Sequence, residues 1–178
     1  MENTHFHILT GGPGSGKTTV LQELGHMGYH VVQEVARGII QRQVATNGTA
    51  LPWADTSRYA RLMLLRSVAD FEEFCHLHTP CFFDRGIIDT LGYCQLIHQP
   101  FPSGAENAAC RYRYNQRVFL FPFWEEIYVT DNERKQDMEE AKRTAYTLQT
   151  TYEKYGYQIL SVPFLPPRER AEWLLAHL

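Results

Sequence analysis

Eight residues near the start of the chain, Gly11-Gly12-Pro13-Gly14-Ser15-Gly16-Lys17-Thr18, have the types and spacing to hold a phosphate. They fit G-x-x-x-x-G-K-[ST], and Thr19 follows directly. Glycine reaches backbone angles that a side chain forbids. Successive N–H groups in such a turn can therefore face inward and wrap an anion, and a helix starting at its end adds the positive end of its dipole. Lys17 would reach the β- and γ-phosphates of a nucleotide as a point charge, and the Thr18 hydroxyl would sit on Mg²⁺. At average residue usage the pattern arises by chance roughly 0.006 times in a chain of this size, so a random glycine-rich turn is the weaker reading.

Other residues supply chemistry that a nucleotide site needs. Asp84 ends the apolar run Pro80-Cys81-Phe82-Phe83, where an acid can hold the hydration shell of Mg²⁺ beside Thr18; the plainer reading is a cap for a helix starting near Gly86. Arg85 binds a phosphate or orients an acceptor, or it forms a structural ion pair. Glu34 closes another apolar run, one helical turn before Arg37. It is a general base or hydrogen-bond acceptor for a substrate hydroxyl, with Arg37 beside the substrate, or it pairs locally with Arg37. Asp89 points into the same cleft or into solvent. Arg134 and Lys135 open a long predicted helix. From a mobile loop an arginine there reaches a transferring phosphate and stabilises its spread charge. Otherwise it is a solvated helix start, although a cation at a helix N-terminus opposes the dipole. Tyr152 and Tyr155 on that helix read as packing residues.

Strands alternating with helices would deliver these positions. Residues 6–10 read as a strand, 17–24 as a helix stopped by Gly25, 30–34 as a second strand and 35–43 as a helix broken at 46–49. Asp55 or Thr56 would cap a helix to about His76, with Tyr59, Leu62, Met63, Leu65 and Phe71 near the helical period. The run 80–84 is a buried parallel strand by pattern, and 86–98 a helix. Ser103-Gly104-Ala105-Glu106 reads as a capping box. Residues 118–121 form the fourth strand, with 126–129 as a rival. Thr130-Asp131-Asn132-Glu133 is a second capping box, opening a helix to about Tyr155 that Gly156 ends. The last strand is 158–162 and the last helix 168–177. The alternation implies parallel βαβ units, hence a doubly wound α/β sheet. Such a sheet binds ligands at the C-terminal ends of its strands, where the glycine-rich loop, Glu34 and Asp84 all fall.

The 178 residues are 44% hydrophobic and 21% charged, which suits one soluble domain with a substantial core. A net charge of -3 gives no basic footprint, so no nucleic-acid partner is expected; Arg111, Arg113 and Arg117 cluster but face phosphates or water equally well. The four cysteines form no C-x-x-C and no zinc-type pairing with histidine, which points to buried thiols in a reducing compartment. No signal peptide and no apolar run of about 18 residues is present, so the expectation is a cytoplasmic protein without a membrane segment. Oligomeric state leaves no sequence signal.

Taken together, GGPGSGKTT, VVQEVARGII, FFDRGIIDTLGY, VFLFPFWEEIYVTDNERKQ and YGYQILSVP resemble a small family of predicted P-loop ATPases that carries an AAA name and includes nicotinamide riboside kinase domains. The resemblance covers nearly the whole chain. It implies a three-layer P-loop fold of kinase type with a five-stranded parallel sheet, the P-loop strand lying beside the strand that bears Asp84. It also implies that residues 11–19 bind ATP, that Lys17 serves the phosphates and Thr18 the Mg²⁺, and that Asp84-Arg85 is the acidic-arginine pair of nucleoside and nucleotide kinases. Glu34 would be the acid after the second strand, Arg134 an arginine of a lid at about 122–140, and Pro163 part of a loop near the base. A ring-forming motor fits poorly, because Arg85 follows the acid where such motors carry a water-activating glutamate. The function implied is a small-molecule kinase with a nucleoside- or riboside-like acceptor that no segment identifies; the rival is a slow ATPase or nucleotide-dependent switch acting on a protein partner. GTP in place of ATP stays open, since no N-K-x-D motif is present.

Overall fold

A computed structural model describes residues 1–127 and 138–178. In chain order its elements are β1 (Phe6–Gly11), α1 (Lys17–His26), β2 (His30–Val32), α2 (Val35–Ala45), α3 (Thr56–Phe74), β3 (Cys81–Asp84), α4 (Ile87–Leu96), α5 (Ala105–Arg111), β4 (Arg117–Phe121), α6 (Met138–Lys154), β5 (Gln158–Ser161) and α7 (Pro167–Leu175), with a 3-10 turn at Glu125–Ile127. The strands form one parallel sheet in the order β2-β3-β1-β4-β5.

Alternation along the strands explains the layering. Phe6 and Ile8 of β1 and Phe83 of β3 pack with Leu64 and Phe71 of α3 and Ile88 of α4 on one face. Leu9, Phe82 and Phe119 pack with Val20 and Leu24 of α1 and Leu174 of α7 on the other. Both faces are apolar, so both take a helical layer, and each fully buried Phe or Leu contributes about 1.5–3 kcal/mol. The three-layer α/β fold read from the sequence is the fold observed. Helix α2, by contrast, which packs against α3, buries none of its residues.

Several local expectations need correction. Helix α1 runs past Gly25 to His26 and is capped by Met27, with Gly28 taking the positive φ of the turn. Ser103 makes no capping box; Gly104 is the N-cap of α5, at φ 81 with no side-chain bond. Strand β2 stops at Val32 because Glu34 already occupies the N-cap of α2. In the rival strand 126–129, Glu126 and Ile127 belong to the 3-10 turn instead. Cys81 and Cys94 are buried, but Cys75 and Cys110 are exposed; all four are free. The second capping box, Arg134 and Lys135 lie outside the described residues. Asp55 does cap α3, accepting from the Arg58 N–H at 2.9 Å.

His7 is the one buried histidine of the sheet among the described residues, 4% exposed against the rings of Phe82 and Phe119. Its Nδ1 has no hydrogen-bond partner. Burial, helped by the charges of His5 and Arg117, pushes its pKa down to about 4. Below its ordinary value of 6.5 the unfolded chain takes up a proton that the folded chain refuses. Stability present above pH 6.5 is therefore lost as pH falls towards 4, by up to about 3 kcal/mol. His7→Phe is expected to flatten that acid limb in urea denaturation run as a pH series; an unchanged limb would assign the loss to other groups.

Candidate functional site

The glycine-rich loop leaves β1 at its C-terminal end and enters α1 at Lys17. Gly11 is the last residue of β1, opposite Phe121 of β4, at φ 137. A Cβ there would fall on the Phe121 carbonyl oxygen, so only glycine lets β1 leave the sheet at this point. Gly16 caps α1 at φ 86. Between them the loop borders a cavity of about 750 Å³, with Pro13 through Thr19 on one side. Glu34, Arg37, Asp84 and Arg85 complete its polar wall, and Trp124, Ile127 and Phe164 to Pro167 its apolar one. Gly11 and Gly12 do not line it. Their carbonyls accept from Lys17 Nζ at 3.1 and 2.8 Å, and Ser15 Oγ lies 3.2 Å from the same nitrogen. Burial, then the charge of Arg85, pushes the Lys17 pKa down to about 8, against the pull of Asp84, Glu34 and Asp89.

Asp84 pairs in register with Leu9 at the strand ends, 5% exposed, and its Oδ1 has no hydrogen-bond partner. Burial raises its pKa, with Lys17 and Arg85 opposing. The helix-cap reading of Asp84 fails locally, because the N-cap of α4 is Gly86 and its N–H is taken by Asp89 Oδ2 at 2.8 Å. No group of three or more His, Cys, Asp or Glu side chains able to hold a metal is present among the described residues. Mg²⁺ needs no such group, since it binds through one or two carboxylates plus substrate phosphates and water. An orphaned buried carboxylate oxygen and the exposed Thr18 hydroxyl, both on the cavity, fit that demand.

Arg85 sits at φ 73, an unusual angle for a residue with a side chain. Three bonds hold it there. Its N–H donates to the Leu9 carbonyl at 3.0 Å, Nε to Glu34 Oε1 at 2.9 Å and Nη1 to Asp89 Oδ1 at 3.3 Å. Strain of about 1–3 kcal/mol at such an angle persists only where the surroundings over-determine it. Glu34 thus pairs with Arg85 rather than Arg37. Burial disfavours its charge, but Arg85 and Lys17 outweigh that and hold its pKa below the ordinary value.

Asp89 does not line the cavity. It is 3% exposed, and besides Arg85 and Gly86 it accepts from the Thr10 hydroxyl and the Tyr152 hydroxyl, both at 2.5 Å. The Asp89 side chain, expected at the substrate, here faces Arg85 from behind the cavity wall, and Tyr152 ties α6 to it. Tyr152→Phe should cost about 1–3 kcal/mol of folding stability in urea denaturation, because a buried carboxylate loses a donor; a loss below about 0.5 kcal/mol would mean that water replaces the hydroxyl.

One charged residue of the cavity carries no sequence motif: Arg170 of α7, which donates from Nη1 to the Ser15 carbonyl at 3.1 Å across 155 positions. Trp124 and Phe164, stacked at 5.1 Å, lie beside it on the cavity wall.

Residues 6–170 match the model of a family described as an AAA domain. The chain belongs to this family. No curated protein matches the sequence. Among solved structures, this AAA-domain chain is similar to NadR protein in complex with NAD and AMP-PNP, at 15% identity and a TM-score of 0.68 over 98% of this chain, which spans only 49% of that one. Deoxyadenosine kinase from M. mycoides with dCMP and dCDP bound gives 14% identity and a TM-score of 0.62, covering 97% of both chains. Shikimate kinase from Acinetobacter baumannii in complex with shikimate gives 14% and 0.56, covering 98% of this chain and 93% of that one. At these identities the likeness is one of fold: a P-loop fold of kinase type. Among the described residues no helix is long and apolar enough to cross a membrane.

Proposed function

We propose that the chain is an ATP-dependent small-molecule kinase that transfers the γ-phosphoryl group to a hydroxyl of a nucleoside- or riboside-like acceptor. The observation that carries this reading is the place of Glu34. It lines the nucleotide cavity and also a second cleft of about 880 Å³ bounded by Gln33, Arg42, Leu62, Arg66 and Asp70. An acceptor in that cleft presents its hydroxyl to Glu34 on the side facing Lys17 and the P-loop. Glu34 takes the hydroxyl proton or holds it in a hydrogen bond, while Arg85, fixed by Glu34 and Asp89, meets charge on the transferring group. Thr18 and Asp84 are the proposed Mg²⁺ residues. Bound with the nucleotide, that ion neutralises polyphosphate charge. Arg134 is proposed as a lid cation, and residues 122–140 as the lid. Phosphoryl transfer asks the protein mainly for positioning and charge, which this set provides. A water-activating acid beside Asp84, which an ATPase reading asks for, is replaced by Arg85.

The test is ADP release from Mg²⁺–ATP, alone and with pooled nucleosides, ribosides and related alcohols. Release that rises sharply with one pool supports the kinase. Slow release that ignores every pool sinks it and favours an ATPase or switch protein. GTP run in parallel decides the nucleotide.

A further inference from the structure

Arg170 is a cation in an unusual position. It is 3% exposed yet borders the nucleotide cavity. No carboxylate lies within ion-pair distance among the described residues, and its Nε has no hydrogen-bond partner. Its guanidinium lies over the rings of Phe121 at 5.6 Å and Trp124 at 5.2 Å, with the Ser15 carbonyl as its hydrogen-bond acceptor. It also fills the space a side chain at Gly16 would need: a Cβ there would lie 2.7 Å from Nη2.

A buried charge without a counter-charge costs several kcal/mol, which two ring faces and one carbonyl offset only in part. The sign is also wrong for the empty protein, since Lys17 and the N-terminus of α1 already make this end positive. A polyphosphate reverses that sign. In a trans peptide the carbonyl and the N–H point in opposite directions, so the bond to the Ser15 carbonyl also fixes the direction of the Gly16 N–H in the loop.

We infer that Arg170 is a nucleotide-site residue: it fixes the Ser15–Gly16 peptide of the loop and supplies a buried cation whose counter-charge is the polyphosphate of the bound nucleotide. This rests on the nucleotide-binding half of the proposed function and not on the acceptor.

Arg170→Met keeps the apolar stem and removes the charge; Arg170→Lys keeps the charge and loses the fork. The melting temperature of each is read without ligand, and affinities are read for Mg²⁺–ADP and for tripolyphosphate. Arg170→Met is expected to melt at or above the wild type without ligand and to bind both ligands about 10- to 100-fold more weakly. Arg170→Lys should recover part of that affinity. A ligand-free melting point well below the wild type, or a variant that does not fold, overturns the inference by making Arg170 a pillar of the fold. Affinities within twofold of the wild type overturn it too, as does a loss confined to ADP with tripolyphosphate unchanged. A protein that binds ADP as expected but transfers to no acceptor refutes the kinase and leaves the role of Arg170 standing.

Discussion

Lys17→Ala will bring ADP release down to background, a fall of about 10³-fold or more. Without nucleotide, Lys17 Nζ is held by the carbonyls of Gly11 and Gly12. Its third contact is the Ser15 hydroxyl and none is to a carboxylate, so a phosphate is the stronger partner and draws the amine out of the loop. The same residue sets a pH dependence. Its pKa in the free protein lies at about 8, and a phosphate beside it raises that value. Below pH 8 Lys17 is already charged, and nucleotide affinity is at its plateau. Above it, binding must also take up a proton, so affinity falls by up to tenfold per pH unit. Titration calorimetry in two buffers of different ionisation enthalpy checks this. Proton uptake absent at pH 8.5, or equally present in Lys17→Ala, would remove Lys17 as its source.

Glu34→Gln is the second large effect: a loss of about 10²- to 10⁴-fold in acceptor-dependent turnover, with ATP affinity changed only a few-fold. Glutamine keeps an oxygen for Arg85 Nε and leaves the Asp89 contact intact. Arg85 therefore stays near its place while the base is lost. Equal losses in turnover and affinity would assign Glu34 to holding Arg85 alone, and no loss would dismiss it.

What the sequence made legible is local. The P-loop, the apolar run ending at Asp84 and the alternation of β1 are contiguous patterns, and each is set by backbone sterics or by burial on two faces. The failures are local too. Ser103 lost its cap because Gly104 turns at a positive φ, and β2 ended early because the chain bends into α2 at Glu34. Arg170 and Tyr152 were beyond such reading for another reason. Their partners lie 155 and 63 positions away, and only the sheet order brings α7 against the loop and α6 against Asp89. An arginine in an amphipathic helix reads as solvated; only its packing on Gly16 removes it from water.

The shallow seat of α2 bears on how a substrate gets in. The helix carries Arg37, starts at Glu34 and borders the second cleft through Gly38, Ile39 and Arg42, yet has no buried residue. Segments with little buried surface open at a small fraction of the global unfolding free energy. The acceptor side can therefore breathe many times for each excursion of the sheet, while the loop beneath Lys17, anchored in fully buried β1, keeps its shape. For the proposed kinase, the nucleotide would meet a rigid receptor and the acceptor a yielding one.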